Sequence, residues 1–508
     1  MIVKNRIVKK GLTFARQIDA QRTTPLQVQQ RCLINLMKKA ERTDFGRHYG
    51  FTDLLLSPSP LRAFQDTIPI HDYDKIYNEW WHRQLEGEQD VSWKGKVKYY
   101  ALSSGTSGSA SKYIPITPDM RRSMRHAALR MFACLPKYNL PPSFFTKDWL
   151  MVGGSATLKD YGHYYAGDLS GINASKPPIW IRGYYKPGTA IARLKNWDER
   201  VNAIAELAPK WDVGVLTGIP SWVQLTLEHI IERHKLNNIH ELWPNLKVFV
   251  TGGVAFEPYR KSFESLLAHP LIYQDSYLAS EGFIAFQARP GTSAMKLQLN
   301  NGIFYEFIPF NEDNFDADGM PLPDAQTLCI DEVEEGVDYA LLITTNAGAW
   351  RYLIGDTVRF EDKQRSEIII TGRTKHFLSI CGEHLSVDNM NNAIKNTEDL
   401  LDITVKEYTV CGTEADSHFA HHWYIGNDQG ASAENIATIL DAQLKVVNDD
   451  YEAERSAMLR PPKVSVVPNA MFYDWQRHIG KMNGQSKVAR VMRKKQFADW
   501  QAFVKANQ

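Results

Sequence analysis

The sequence predicts an α/β protein of more than one domain, and three observations carry that expectation. The chain has 508 residues, and at roughly 100–200 residues per domain this length holds two to four domains with a large core. Segments with apolar residues at helical spacing alternate with short apolar runs, the pattern of helices laid on a sheet. The texture then changes between Thr371 and Lys375, dividing the chain into a large part, residues 1–372, and a smaller one, residues 373–508.

Residues 1–90 read as mainly helical, since LQVQQRCLINLMKKAER places Leu, Ile and Met at helical spacing beside cations. From Val97 the character changes. VKYYAL and YIPIT are β-prone runs on either side of the small-residue stretch SSGTSGSASK, so two strands should flank a hydroxyl-rich loop. PSWVQLTLEHIIERHKL sets Val223, Leu227, Ile230 and Ile231 on one helix face, and LKVFVTGG runs as a strand into two glycines. Over residues 296–370 strand-like pieces dominate, GIFYEFIPF, QTLCI and YALLITT, separated by polar turns such as NEDNFDADGMP; this predicts a β-rich subdomain. After EIIITGRTKHFLSICGEHLS come the helix-like SAENIATILDAQLKVVNDDYEAERSAM, the strand-like KVSVVP and a basic C-terminus. There is no 20–50-residue repeat and no low-complexity segment.

Composition excludes several classes. Apolar residues at 44% and charged ones at 23% rule out long disorder, collagen-like repeats and a coiled coil. Lys plus Arg, 59, nearly cancels Asp plus Glu, 58. Sequence-independent nucleic-acid binding, which needs excess cation, is therefore not expected, and any anionic ligand must be held locally. The five cysteines (Cys32, Cys134, Cys329, Cys381, Cys411) are far apart and never form C-x-x-C, so they read as free thiols of a reducing compartment. The basic start MIVKNRIVKKGLTFARQ is interrupted by charge every few positions and lacks a signal-peptide core. It reads as a solvated first helix, with contact to an anionic membrane surface as the other reading. No run of about 18 apolar residues occurs, so no membrane span is expected, and a cytoplasmic location is.

Four segments can carry chemistry. SSGTSGSASK packs six hydroxyls, two glycines and a lysine into ten residues, Ser103 to Lys112. Backbone N–H groups near glycine, hydroxyl donors and a cation are the ingredients of a phosphate cradle. It is not a Walker loop, because Lys112 lies four residues past Gly108 and Tyr113 follows; a flexible linker has the same composition. In DSYLASEGF, Glu281 can reach a cation and Tyr277 can stack on a base. Mg²⁺ takes one or two carboxylates and fills its other positions with phosphate oxygens and water, so one acid suffices; a surface Glu and a half-buried Tyr fit the segment too. In AWRYLIGDTVRF, Asp356 can accept from a ribose diol, although Gly-Asp is also plain turn chemistry. GRTKHF supplies Arg373 and Lys375, and NGQSKVAR supplies Lys487 after a turn signal; ordinary surface cations fit both.

Taken in order, these segments resemble the adenylate-forming superfamily of acyl-CoA synthetases, peptide-synthetase adenylation domains and luciferases. More closely they resemble the acyl acid amido synthetases, the auxin-responsive Gretchen Hagen family with its bacterial relatives. The family's Ser-Ser-Gly-Thr-Ser-x-Gly-x-x-Lys is matched by Ser103, Ser104, Gly105, Thr106, Ser107 and Lys112, with Gly108 one place early. Tyr-x-x-Ser-Glu is matched by Tyr277, Ser280 and Glu281. Tyr-Arg-x-Gly-Asp keeps Tyr352, Gly355 and Asp356 but has Leu353 where Arg is usual, and Arg351 is the cation placed to compensate.

The resemblance implies a large N-terminal multi-sheet α/β domain of adenylate-forming type and a small mobile C-terminal α+β lid. It implies ATP and Mg²⁺ as cofactors. Ser103, Ser104, Gly105, Thr106 and Ser107 would hold phosphates, Gly252, Gly253, Val254 and Tyr277 would frame adenine, and Asp356 with Arg373 would hold the ribose. Ser280 belongs to the same binding set, Glu281 would meet Mg²⁺, Lys375 falls at the hinge and Lys487 at the lid lysine. Lys487, Glu281 and Lys375 form the implied catalytic set. The implied reaction activates a carboxylic acid as its adenylate with release of pyrophosphate, then transfers the acyl group to an amine, an amino acid in the family, with release of AMP.

Two other readings stand beside it: an acyl-CoA ligase with CoA as acceptor, and a non-catalytic nucleotide-binding relative, supported only by Leu353 and the displaced Gly108. The adjacent His421 and His422 point to opposite sides of any strand and make a poor metal pair, and Cys381 to His384 lacks zinc spacing. No G-x-S-x-G elbow suggests a hydrolase. The aromatic stretch PPIWIRGYYKP is a candidate acyl-pocket wall, or packing.

Overall fold

The computed structural model describes residues 23–103, 112–174, 183–253, 256–316, 319–374, 378, 383, 385–415, 418–448, 451–452, 455, 459–480, 488–492 and 494–507. The helix Pro25–Ala40 begins where the sequence supplies a cap: the Thr24 side chain accepts from the Gln27 N–H, the Gln27 side chain accepts from the Thr24 N–H, and Pro25 opens the first turn. Its buried Gln29 joins this helical segment to the sheet, donating to the carbonyls of Leu299 (2.7 Å) and Ile303 (3.0 Å) and accepting from the Tyr305 N–H (2.7 Å).

Among the described residues the strands form three sheets. In the first, β1 (Tyr99–Ser103) and β2 (Lys112–Pro115) pair antiparallel with Ser103 opposite Lys112, so the two ends of the hydroxyl-rich loop are fixed to each other; β5 (Tyr165–Gly167) runs parallel to β1 on its other side and pairs antiparallel with β4 (Lys159–Asp160). Residues 104–111 themselves lie outside the described residues.

The large sheet is half parallel and half antiparallel. Its strands are β3 (Asp148–Val152), β6 (Tyr185–Lys186), β7 (Val213–Gly218), β8 (Val248–Gly252), β9 (Ile272–Ala279), β10 (Gly282–Phe286), β11 (Met295–Leu297), β12 (Ile303–Pro309), β13 (Asp338–Thr345), β14 (Tyr352–Asp362) and β15 (Glu367–Arg373). They lie in the order β12-β13-β14-β15-β11-β10-β9-β8-β7-β3-β6. The strands β6, β3, β7, β8 and β9 are parallel, and from β9 to β12 every pairing is antiparallel. The helix Pro220–His234 buries Trp222, Val223, Leu227 and Ile230 against the parallel half, with Ile231 at the margin. The strands of residues 296–370 extend this same sheet. QTLCI, expected as a strand, makes only one bridge, with Phe307 and Leu328 exchanging both backbone hydrogen bonds (2.8 and 2.9 Å).

The smaller C-terminal part is a layered α/β unit. Its sheet is β16 (Tyr408–Ala415), β17 (His418–Gly426) and β18 (Lys463–Val467). The helices Val387–Leu401 and Ala433–Val447 pack on one face, and Asn469–His478 and Lys494–Ala506 on the other. Alternation along β17 sends its paired histidines to opposite layers, as expected. His421 contacts Glu383 (2.7 Å) and His422 contacts Ser465 (2.9 Å). Among the described residues Cys32, Cys134, Cys329 and Cys411 are buried and in no disulfide. No helix among them is long and apolar enough to cross a membrane.

A buried polar network joins the two parts. The Tyr259 hydroxyl donates to Glu407 (2.9 Å), and Arg490 donates to the other Glu407 oxygen (2.8 Å) and to the Tyr259 oxygen (3.2 Å) while lying over the Tyr408 ring (4.3 Å). Ion pairs Lys395–Glu257 (3.0 Å), Lys406–Glu228 (2.8 Å) and Lys261–Asp402 (3.0 Å) surround it.

Candidate functional site

The parallel strands end together, and the site forms at their C-terminal edge, where ligands of open α/β sheets bind. There β8 runs into Gly252 and Gly253. A Cβ on Gly252 would stand 2.6 Å from the Ser276 carbonyl oxygen on the neighbouring strand, so only glycine lets β8 and β9 close here. Gly253 follows with φ +85°, a left-handed conformation that turns the chain off the sheet. Val254 lies outside the described residues.

β9 carries Tyr277, and Ser280 with Glu281 forms the two-residue turn of the β9–β10 hairpin. Tyr277 is buried and its hydroxyl donates to Asp356 Oδ2 at 2.5 Å. Asp356 comes from β14, opposite Arg373 on β15, and its Oδ1 takes the Arg373 Nε–H at 2.8 Å. Arg373 also donates to the Ile354 carbonyl (3.4 Å), across a bend that Gly355 makes with φ +86°. Three residues separated by up to 96 positions in sequence thus form one hydrogen-bonded row, Tyr277–Asp356–Arg373.

Glu281 sits beside that row, 9% exposed, with the Tyr352 hydroxyl 3.4 Å from its Oε1. Burial pushes its carboxyl up from the usual carboxylate range and the Asp356 charge adds to this, while Lys112 and Arg373 pull it back. Burial also drives the Tyr277 hydroxyl far up, with the Asp356 charge second, so it remains a donor. Arg373 is held protonated first by Asp356.

Tyr277, Ser280, Glu281, Asp356 and Arg373 are therefore brought together, with Gly252 and Gly253 at the adjoining strand end. Ser103 closes β1 at the mouth of the loop. Ser104, Gly105, Thr106, Ser107, Lys375 and Lys487 lie outside the described residues. The expectation that Arg351 compensates for Leu353 is overturned. Arg351 is 6% exposed and turned into the protein by φ +41°, where it pairs with buried Glu306 (3.1 Å) and donates to the carbonyls of Gln65 and Ile68, each at 2.7 Å. Leu353 packs among Ile308, Phe315, Ala340 and Leu342.

Sequence reasoning missed Tyr73. Its ring lies under the Lys112 ammonium (5.1 Å) and its oxygen accepts from the Tyr113 N–H (2.8 Å). The available signal was Tyr73, Tyr77 and Trp81 at intervals of four.

The mixed sheet with its smaller C-terminal domain is the fold of a solved GH3.15 acyl acid amido synthetase, at TM-score 0.77 and 16% identity over 94% of this chain and 93% of that one. The GH3 family N-terminal domain matches residues 14–159 and 136–271, the central domain residues 297–370 and the C-terminal domain residues 388–496. The chain belongs to the GH3 family. Indole-3-acetic acid-amido synthetase GH3.8 of Oryza sativa subsp. indica is 28% identical over 96% of this chain and 91% of its own length. Indole-3-acetic acid-amido synthetase GH3.2 of Arabidopsis thaliana is 27% identical over a shorter stretch, 43% of each chain.

Proposed function

We propose that the chain is an ATP-dependent ligase that converts a carboxylic acid into its acyl-adenylate and passes the acyl group to an amino acid. The observation that carries this reading is the Tyr277–Asp356–Arg373 row beside buried Glu281, at the strand edge that follows the Gly252–Gly253 turn. In this reading the row fixes a carboxylate where a ribose diol can donate to it, and the glycine turn would frame the base. The loop Ser103 to Lys112 supplies donors to the triphosphate. Residues 1–372 form the adenylating domain and residues 373–508 the lid, with Lys375 at the hinge and Lys487 as the lid's cation.

Glu281 fits Mg²⁺. It is one carboxylate, buried beside the Tyr277–Asp356–Arg373 row, and an ion held by a single carboxylate would fill its other positions with phosphate oxygens and water. Bound there, the ion would neutralise charge on phosphate oxygens.

The chemistry then proceeds in two displacements. A carboxylate oxygen attacks the α-phosphorus and the bond to the bridging oxygen breaks, releasing pyrophosphate. The amine nitrogen next attacks the acyl carbon, the carbon–oxygen bond to the phosphate breaks, and AMP leaves as the nitrogen loses its proton. Both steps depend on positioning and on charge held ready for the phosphates. Lys487 would meet the α-phosphate in the first step.

Product analysis tests the proposal. With ATP, Mg²⁺, a panel of aryl, indolyl and aliphatic acids and a mixture of amino acids, mass spectrometry should find an amide and AMP in equal amounts. A thioester formed only with CoA would replace the amide synthetase with an acyl-CoA ligase, and ADP as the nucleotide product would contradict adenylation.

A further inference from the structure

At Tyr73 the helical lead-in of the chain meets the end of the hydroxyl-rich loop. Tyr73 lies on the short helix Tyr73–Ile76, which continues into a single widened turn, Tyr77–Trp81, where the His82 N–H bonds back five residues to the Tyr77 carbonyl. This turn lets Tyr73 stack on Tyr77 (centroids 5.5 Å) and meet Trp81 edge-on (6.2 Å), and Trp81 in turn packs against Tyr352 (5.7 Å). Asp72 caps the helix by accepting from the Lys75 N–H at 2.9 Å. The neighbouring His71 is bridged to Tyr352 in the sheet, donor and acceptor both used: its N–H goes to the Arg351 carbonyl (2.9 Å) and its carbonyl accepts from Leu353 (2.8 Å). Tyr73 is thus anchored to the same β14 residue that meets Glu281.

From that anchorage Tyr73 makes two contacts to the far end of the hydroxyl-rich loop. Its oxygen accepts from the Tyr113 backbone N–H (2.8 Å), and its ring face lies 5.1 Å from the Lys112 ammonium, within cation–π range. Lys112 is close enough to Glu281 for its charge to pull that carboxyl's protonation down. One tyrosine from outside the nucleotide motifs therefore fixes both the backbone and the charged side chain where β2 leaves the loop.

We propose that Tyr73 is a positioning residue for the triphosphate of a bound nucleotide, acting through Lys112 and the loop end rather than by touching the ligand. The assignment rests on the reading of this site as an ATP site. It predicts a phosphate-specific defect: loosening Tyr73 frees Lys112 from its preset direction, and only ligands carrying the β- and γ-phosphates should register the loss.

The test is calorimetric titration with ATP and with AMP, which needs no acid substrate. Tyr73→Phe keeps the ring and loses the acceptor, and Tyr73→Leu loses both. ATP affinity should fall about threefold in the first and about tenfold in the second, the loss of a hydrogen bond and then of a cation–π contact as well. AMP affinity should stay within about twofold in both, which also shows that the variants are folded. In a Lys112→Ala background Tyr73→Leu should cost ATP affinity only about threefold, because the cation–π contact is already gone and the hydrogen bond to the Tyr113 N–H alone remains to be lost. An equal loss of AMP and ATP affinity, or an undiminished Tyr73→Leu effect in the Lys112→Ala background, would overturn the assignment. Wild-type protein that binds no ATP would overturn it together with the ligase reading. The expected titration pattern from an enzyme that never forms an adenylate would support Tyr73 and sink only the ligase reading.

Discussion

Tyr277 and Asp356 are 79 positions apart in sequence and share a 2.5 Å hydrogen bond, the hydroxyl donating to a carboxylate whose other oxygen is occupied by Arg373. Both strands that bear Asp356 and Arg373 lie on the antiparallel half of the sheet, while Tyr277 stands on the last parallel strand. The row therefore bridges the two halves and makes the orientation of Asp356 a property of the whole sheet.

Tyr277→Phe should reduce the efficiency of adenylation with respect to ATP. Asp356 keeps its Arg373 partner, so the fold survives, but the carboxylate loses one of two fixed directions. A hydrogen bond to a charged group is worth about 1.5–3 kcal/mol, so a fall of roughly tenfold or more in kcat/KM for ATP is expected. Steady-state kinetics with ATP varied would measure it, and an unchanged value would show that the row is structural only.

Glu281→Gln should abolish adenylation and yet stabilise the protein at neutral pH. Burial raises this carboxyl above its unfolded value, so ionised Glu281 costs stability that is absent at low pH and appears as pH rises through the folded value. Thermal melts of the two proteins should coincide in acid and separate with rising pH, the variant melting higher. Mg²⁺ affinity should fall with falling pH, because the proton that burial favours on Glu281 competes with the ion.

Arg490→Met should destabilise the junction between the two parts of the chain by about 3 kcal/mol, since it strands Glu407 as a buried charge. Glu407 is already pushed up by burial, and Arg490 is the first group that opposes this. Without Arg490 the carboxyl takes a proton more readily, so the deficit should shrink in acid and grow as pH rises. Denaturant unfolding at about pH 5 and about pH 8 would show the difference; a deficit independent of pH would mean that Arg490 contributes by packing over Tyr408 alone.

Gly252→Ala should be among the most damaging single changes at the site. The added Cβ would stand 2.6 Å from the backbone oxygen of Ser276, the residue before Tyr277 on β9. Loss of soluble expression, or a folded protein with no measurable ATP affinity, is the expected outcome.

How much of this was legible in the sequence depends on what each residue answers to. The strand runs YALLITT and LKVFVTGG declared themselves because strands buried on both faces are continuously apolar, and they became β13 and β8. QTLCI looked the same and was not a strand, because its neighbour along Phe307 offers one bridge and the chain then turns away. Tyr277, Glu281, Asp356 and Arg373 were legible as ordered motifs, but the hydrogen bonds among them depend on register between strands far apart in the chain. Arg351 misled because sequence proximity to Leu353 says nothing about direction: Glu306, 45 positions away, sets where its guanidinium goes. Tyr73 stayed hidden for a related reason, since aromatic residues at helical spacing are what a buried helix face requires in any protein.

The most direct measurement of the central claim is carboxylate-dependent ATP–pyrophosphate exchange over aryl, indolyl and aliphatic acids, run beside Asp356→Ala and Lys487→Ala. Exchange with one class of acid, lost in Asp356→Ala and Lys487→Ala, is the expected result. Bound ATP with no exchange for any acid, or exchange that persists in Asp356→Ala, would contradict it.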